Sequence, residues 1–232
     1  MTSERPLLGI SVGDPGGIGP EITAMALAQE EIYLICRPLV VADSRLMEQA
    51  VRISRVGLAC RTVEHPVQGL YQHGTMDVLD VHNVDVQRLE YGKVTESGGR
   101  ACFEYIERVI DLALRKEIDG CVTGPIHKEA LNRAGVPFAG HTEIFADRTG
   151  TRDYAMMLAD GNFRVVHVTL HVSMRKALEM IRRDRVRKVI GLAHDALRRM
   201  EIDAPRIAVA GLNPHSGEGG LFGQEEIEVI SP

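Results

Sequence analysis

The stretch LLGISVGDPGGIGPE, residues 7–21, passes from an apolar run through a glycine-rich turn into the beginning of a helix. Residues 7–12 have the length and apolar content of a buried strand, and residues 20–30 have the length and polarity of a helix. A strand joined to a helix by a tight turn is the repeating unit of proteins built on a parallel sheet. Because similar segments alternate along the chain, the sequence predicts an α/β fold with largely parallel sheets.

The same alternation defines the other predicted elements. Asp43 and Ser44 are candidate caps for a helix that runs to Val56. The longest predicted helix spans residues 100–116, and its apolar face at helical spacing consists of Phe103, Ile106, Ile110 and Leu114. Further strands are predicted at 39–42, 76–81, 120–123, 154–158, 164–170 and 206–210, and further helices at 127–135, 174–181 and 186–200. The chain is predicted to form two α/β domains, 1–135 and 136–232.

The composition is that of a globular protein without a strong electrostatic preference. Of the 232 residues, 44% are hydrophobic and 25% are charged, and the net charge of −5 gives no reason to expect a nucleic acid or an anionic membrane as partner. No stretch is long enough to span a bilayer and the first residues do not resemble a signal peptide, so a cytoplasmic location is expected. The four cysteines lack metal-site spacing and are predicted to be thiols in a reducing compartment.

The glycine-rich turn GDPGGIGPE, residues 13–21, is a candidate binding loop. Glycines allow backbone amides to approach a phosphate or substrate, and a helix N-terminus favours an anion. The turn matches neither a dinucleotide-binding GxGxxG unit nor a Walker P-loop. Asp14 is a candidate for contact with the phosphate or substrate, and a turn or capping carboxylate is the alternative.

A second candidate loop is TGPIHK, residues 123–128, at the end of a predicted strand. Ligands of α/β proteins bind at the carboxyl ends of strands. Lys128 is therefore a candidate partner for a phosphate or carboxylate, and an exposed lysine in a first helical turn is the alternative.

The third motif, GHTE at residues 140–143, places an imidazole, a hydroxyl and a carboxylate side by side. These groups suit substrate binding. Thr142 and Glu143 are equally suited to cap the helix that follows.

Two histidines follow predicted strands, His171 at the end of HVTLH and His215 in the glycine-rich loop NPHSGEGG. Neutral imidazole binds zinc and similar divalent metals. Two histidines at strand ends that converge on one crevice have the geometry of a metal site, which two ligands alone do not complete. His167 is interpreted as a packing residue.

Together these segments resemble the family of 4-hydroxythreonine-4-phosphate dehydrogenase. The resemblance is carried by GDPGGIGPE (13–21), TGPIHKEALNRAGVPFAGHTE (123–143), HVTLHVSMRKA (167–177) and AVAGLNPHSGEGGLFGQEE (208–226). It implies a two-domain fold similar to isocitrate and isopropylmalate dehydrogenases, and a homodimer with active sites at its interface. It also implies NAD, with NADP as an alternative, and a divalent metal, zinc, magnesium, manganese or cobalt.

Residue by residue, the resemblance matches His141 and Thr142 to substrate contacts and His171 and His215 to metal ligands. The family has a third metal histidine in a YHDQG-type motif that this sequence lacks. The resemblance therefore implies that the chain is truncated at its C-terminus and that the third ligand lies beyond Pro232. It leaves Asp14 and Lys128 as candidate phosphate or substrate contacts.

The implied reaction converts 4-phosphohydroxy-L-threonine to 2-amino-3-oxo-4-phosphooxybutanoate, which loses carbon dioxide to give 3-amino-2-oxopropyl phosphate in pyridoxal phosphate biosynthesis. The alternative substrate is D-threonate or D-erythronate 4-phosphate of sugar-acid catabolism. The segments TRDYAMML (151–158) and HVSMRKA (171–177) resemble the enzymes of that branch at least as closely as those that act on 4-phosphohydroxy-L-threonine. A non-catalytic fragment that binds metal and phosphate is the alternative of another class.

Overall fold

The computed structural model describes residues 5–232; residues 1–4, on which the expectation about a signal peptide partly falls, lie outside the described part. The chain divides into two compact units, the first ending at Gly150 and the second spanning Thr151–Pro232. The strands of the first unit are β1 (Leu7–Ser11), β2 (Arg37–Ala42), β3 (Ala59–Val63), β4 (Thr75–Asp80) and β5 (Gly120–Thr123). They form one sheet in the order β3-β4-β2-β1-β5 with every neighbouring pair parallel, which confirms the predicted α/β architecture.

The helices of the first unit are α1 (Gly19–Leu27), α2 (Glu30–Ile35), α3 (Ser44–Ser54), α4 (Glu96–Leu114), α5 (Lys128–Arg133) and α6 (His141–Thr149). The predicted cap of α3 is confirmed, because the Asp43 carboxylate accepts the backbone N–H groups of Arg45 and Leu46. The central strand β2 is buried from residue 38 to residue 42, as expected of a parallel strand with both faces covered.

The position of β1 in the sheet determines where a ligand can bind. β1 pairs with β2 on one side and with β5 on the other. The chain therefore leaves β1 in one direction and returns to its other side only after β4, so that β1 and β5 flank a topological switch point. In open α/β sheets, the crevice outside the carboxyl ends of such strands is the usual ligand site.

Helix α4 packs against two hydrophobic cores. One side of α4 contributes to the main core over the sheet, with Ala101, Tyr105, Val109 and Leu112. The other side packs with α5 and α6 in a smaller core that contains Cys102, Ile106, Ile110, Leu131, Val136 and Ile144. The predicted single apolar face is correct for Ile106 and Ile110 but wrong for Leu114, which is 56% exposed. A helix buried on two sides has no single apolar stripe, because both cores need apolar side chains.

The smaller core also explains where the compact units divide. They divide after Gly150, fifteen residues beyond the predicted domain boundary at 135. Val136 and Ile144 are buried against α4, so residues 136–150 pack with the first unit. The two predicted domains, 1–135 and 136–232, stay a prediction.

The second unit contains β6 (Met157–Asp160), β7 (Phe163–Val166), α7 (Met174–Met180) and α8 (Arg183–Arg199), followed by a loop at Pro214–Gly220 and a π-helical turn at Glu226–Ile230. β6 and β7 form an antiparallel hairpin. The hairpin is shorter than the strands predicted at 154–158 and 164–170. The Arg185 guanidinium donates to the carbonyl oxygens of Tyr154 and Val168, both at 3.0 Å, so these groups are bonded outside the strand ladder.

The prediction of a strand at 206–210 is wrong, because the structure forms no strand there. This segment has no strand partner and lines an apolar cavity of about 670 Å³ together with residues of β7 and α8. A strand requires a neighbour to pair its backbone groups, and apolar composition alone does not supply one.

Two further properties bear on the expectations from composition. All four cysteines, Cys36, Cys60, Cys102 and Cys121, are free thiols. Within residues 5–232, no helix is both long enough and apolar enough to cross a membrane.

Candidate functional site

The loops that follow β1 and β5 touch each other at the switch point. The Asp14 backbone N–H donates to the Pro125 carbonyl oxygen at 3.0 Å. Gly13 has a φ of +84°, and a Cβ at this position would overlap the same carbonyl oxygen. Only glycine combines a left-handed backbone with so close an approach, so Gly13 sets the distance between the two loops.

The Asp14 side chain faces inward from this contact. It is 7% exposed, and its Oδ1 atom accepts the Gly16 N–H at 2.9 Å. A Cβ on Gly98 in the first turn of α4 would lie 2.9 Å from the same oxygen. A carboxylate beside a helix N-terminus is favoured by the helix dipole. This geometry is that of a turn carboxylate, the alternative left open by the sequence.

Lys128 lies at the start of α5, three residues beyond the contact between the two loops. Its side chain is exposed and makes no hydrogen bond or ion pair with the described residues. An unpaired ammonium group near the carboxyl edge of a parallel sheet is available to a phosphate or carboxylate.

His141 and Thr142 form the first turn of α6, and both are half-buried. Burial lowers the pKa of His141, so its imidazole is neutral at neutral pH. The His141 Nε2 atom and the Glu143 Oε2 atom are buried and have no hydrogen-bond partner in the described part of the chain. A buried polar atom left unpaired costs about 1–3 kcal/mol, so these two atoms are open positions for a ligand.

His171 and His215 have the same unusual backbone in the second unit. Their φ angles are +49° and +54°, and both side chains are exposed. Neither belongs to a group of three or more possible metal ligands in the described part of the chain. Left-handed conformations of non-glycine residues cluster at functional sites. His167, interpreted as a packing residue, is half-buried with an unpaired Nδ1 atom.

The loop that carries His215 has positive φ at five consecutive residues, 215–219. Three of them, His215, Ser216 and Glu218, are not glycine, and each such residue costs about 1–2 kcal/mol. Glu226 lies behind this loop and is 6% exposed. Hydrogen bonds from the Asn213 side chain and from nearby backbone amides lower the pKa of Glu226 to about 2, so it is a carboxylate at neutral pH.

A separate group of possible metal ligands lies at the carboxyl ends of β2 and β4, formed by Asp43, Asp80 and His82. The Asp43 oxygens already accept the backbone N–H groups of Arg45 and Val84 and the Arg45 guanidinium. Asp80 Oδ1 accepts the backbone N–H groups of Ser44 and His82. Because these bonds cap α3 and close the β4 turn, the group is explained as a structural network.

Acid titration tests the structural role of Asp43. Burial opposes ionisation, but the Arg45 guanidinium and the Val84 amide outweigh it and hold the pKa of Asp43 below its ordinary value. A carboxylate with a depressed pKa stabilises the fold fully when the pH lies above its unfolded-state pKa of about 3.9. This stabilisation is lost as the pH falls through the folded-state pKa.

We therefore expect Asp43→Asn to lower the free energy of unfolding by about 1 kcal/mol at pH 7 and by much less near pH 3, in urea titrations. Asp85→Asn, which alters an exposed carboxylate, is the matched control. An equal loss for Asp43→Asn at both pH values would contradict the role given to its charge.

Comparison with known proteins identifies the family. The model of the family described as pyridoxal phosphate biosynthetic protein PdxA matches residues 34–232. The "Putative D-threonate 4-phosphate dehydrogenase" of Symbiobacterium thermophilum is 48% identical over 228 residues, which are 98% of this chain and 68% of that protein. The 4-hydroxythreonine-4-phosphate dehydrogenase of Desulforapulum autotrophicum is 43% identical over 233 residues, 100% of this chain and 68% of that protein.

The fold leads to the same family. The crystal structure of 4-hydroxythreonine-4-phosphate dehydrogenase from Klebsiella pneumoniae matches with a TM-score of 0.89 and 37% identity, covering 100% of this chain and 70% of that one. The α/β fold is the isocitrate dehydrogenase-like fold that the sequence predicts. The chain therefore belongs to the PdxA family of dehydrogenases and is an oxidoreductase that acts on CH–OH groups.

Proposed function

We propose that the chain takes part in the NAD-dependent and divalent-metal-dependent oxidation of a 4-phosphorylated four-carbon hydroxy acid. D-threonate 4-phosphate is the first candidate substrate. The observation that carries this choice is the 48% identity, over 98% of the chain, to a protein named for that substrate. D-erythronate 4-phosphate, which differs from it in configuration, is the related candidate.

The second candidate is 4-phosphohydroxy-L-threonine, the substrate that the sequence placed first. It is favoured by the 43% identity to a 4-hydroxythreonine-4-phosphate dehydrogenase and by the similarity to the Klebsiella pneumoniae structure of that name. Its oxidation would give 2-amino-3-oxo-4-phosphooxybutanoate. This β-keto acid would lose carbon dioxide to form 3-amino-2-oxopropyl phosphate.

The open polar groups of the first unit suit such a substrate. His141 offers a neutral imidazole whose Nε2 atom lacks a partner, and Thr142 offers a hydroxyl beside it. We assign both to contacts with the hydroxy acid. Lys128, whose ammonium group is unpaired among residues 5–232, is assigned to the phosphate or carboxylate. Asp14 is assigned to holding the glycine-rich loop, with direct substrate contact as the alternative.

The second unit offers donors that fit a divalent metal. The His171 and His215 imidazoles are exposed and make no hydrogen bonds with the described residues, so their ring nitrogens are free to coordinate zinc, cobalt, manganese or magnesium. Two imidazoles do not complete a metal site, so at least one further protein ligand would be needed. When bound, the metal would supply Lewis-acid polarisation of the substrate hydroxyl, and NAD, or NADP as the alternative, would supply the hydride acceptor.

A substrate panel tests the proposal. The protein, supplied with NAD and Co²⁺, would be assayed for NADH formation on D-threonate 4-phosphate, D-erythronate 4-phosphate and 4-phosphohydroxy-L-threonine. We expect the highest kcat/KM on D-threonate 4-phosphate and at least about a tenfold preference over the poorest substrate, equal to about 1.4 kcal/mol.

Two results would contradict this proposal, and they can be told apart. A higher kcat/KM on 4-phosphohydroxy-L-threonine would make that compound the first candidate substrate in place of D-threonate 4-phosphate. Binding of phosphate and metal without NADH formation on any substrate would favour the alternative of a non-catalytic binding fragment. A homodimer and a cytoplasmic location, both expected from the sequence, stay predictions.

A further inference from the structure

Glu226 is a buried charged residue of the second unit, and its side-chain hydrogen bonds go to the segment that leads to His215. Its Oε1 atom accepts two consecutive backbone N–H groups, from Leu212 at 2.7 Å and from Asn213 at 2.6 Å. Its Oε2 atom accepts the Asn213 side-chain amide at 2.9 Å. Three short hydrogen bonds therefore fix the two residues that lie just before Pro214.

The same carboxylate also limits the far side of the loop. A Cβ on Gly217 would lie 3.0 Å from Glu226 Oε2, so the loop backbone passes close against this oxygen. Gly217 is buried and has a φ of +82°, which suits glycine. Glu226 thus lies against the chain both before and after His215.

These contacts explain how a loop with positive φ at residues 215–219 keeps one conformation. Charge-assisted hydrogen bonds are stronger than neutral ones, and the Glu226 carboxylate accepts three of them, two from backbone amides and one from a side-chain amide. The neighbouring Glu225 contributes one further contact, from Asn213 Nδ2 at 2.7 Å.

We propose that Glu226 is a positioning residue for His215: it holds the strained loop so that the imidazole is presented for metal binding. The proposal rests on the metal role of His215 given under the proposed function. Partners that orient a metal ligand contribute about 10–100-fold to metal affinity in other proteins.

The test uses Glu226→Gln, which keeps the size of the side chain and removes its charge. The substituted amide places an N–H₂ donor against either the Asn213 amide or the backbone N–H groups, so at least one of the three hydrogen bonds is lost. We expect the Kd for Co²⁺ alone, measured by titration, to rise at least about tenfold. The backbone amides of Leu212 and Asn213 should lose protection from hydrogen exchange.

The matched control is Glu228→Gln, the same change on the same helical turn at an exposed side chain. It should leave the Kd for Co²⁺ within about twofold of the unmodified protein. The buried residues Val189 and Ala193 of α8 report on the folding of the unit, and their amides should remain protected in both variants. If α8 also loses protection, Asn213→Ala decides instead, because it removes the side-chain hydrogen bonds to Glu225 and Glu226 and keeps the two backbone bonds to Glu226. Weaker Co²⁺ binding with α8 protected supports the proposal, and unchanged binding overturns it.

His215→Ala separates this inference from the proposed function. If His215→Ala weakens Co²⁺ binding and Glu226→Gln does not, the positioning role is overturned while the metal role of His215 stands. If His215→Ala leaves Co²⁺ binding unchanged, the metal role fails and the hold on the loop is judged by hydrogen exchange alone. Lost protection at Leu212 and Asn213 then supports that hold, and unchanged protection overturns it.

Discussion

His171→Ala and His215→Ala should each lower kcat/KM for the preferred phosphorylated hydroxy acid by about 100-fold or more while the fold stays intact. A change in residues that only orient a metal ligand already lowers activity or affinity about 10–100-fold, so removal of a ligand should exceed that range. Both imidazoles are exposed and make no hydrogen bond with the described residues, so their removal leaves no buried polar group unpaired. We therefore expect each variant to lose activity without a loss of folding stability.

The measurements are steady-state kinetics of NADH formation and circular dichroism of each variant. His194→Ala is the matched control, because His194 is an exposed histidine on α8 of the same unit whose side chain pairs with the adjacent Asp195. His194→Ala should retain the turnover of the unmodified protein. Full activity in His171→Ala or His215→Ala would remove that residue from the metal site.

Gly13→Ala should lower the free energy of unfolding by about 2–5 kcal/mol and weaken substrate binding. Two effects add at this position. The φ of +84° costs about 1–2 kcal/mol for a residue with a Cβ. The new Cβ would also overlap the Pro125 carbonyl oxygen, and overpacking of this kind typically costs about 1–3 kcal/mol. Because the obstacle is backbone, the loops after β1 and β5 would have to separate.

Gly135→Ala is the matched control for Gly13→Ala. Gly135 also has a positive φ, +76°, but a Cβ there would meet nothing within 4 Å. It carries the backbone penalty without the overlap, so its loss in a urea titration should be about 1–2 kcal/mol. Equal losses for the two variants would show that the contact between Gly13 and Pro125 is not what makes the switch point sensitive.

The fold of the first unit could be predicted in large part because its signals are local. The strand at 7–12, the cap at Asp43 and the strand at Gly120–Thr123 depend on apolar runs and turn residues within a few positions. The burial of α4 on two sides could not be predicted, since it depends on residues 126–145 folding back onto the helix. The strand at 206–210 failed for a related reason: pairing is a property of neighbours, which the segment itself does not encode.

The residues of the candidate site also differ in how much the sequence says about them. His141, His171 and His215 were candidates from sequence, because their residue types and motif context suit substrate or metal binding, and their roles stay predictions. Glu226 was not selected, although it ends the motif AVAGLNPHSGEGGLFGQEE. Its role depends on hydrogen bonds to Leu212 and Asn213, more than ten positions away, and a glutamate on an amphipathic turn gives no such signal. The one available hint was its place directly after a glycine-rich loop.

The parallel pairing of β1 with β5 also has a consequence for synthesis on the ribosome. The Leu7 backbone N–H donates to the Asp119 carboxylate, 112 positions along the chain. At about 5–20 residues per second, β1 therefore waits roughly 6–22 s for the strand that completes it. During that interval β1 is an apolar strand with one unpaired edge, and unpaired strand edges promote aggregation. The nascent chain is therefore more exposed to aggregation than the folded protein.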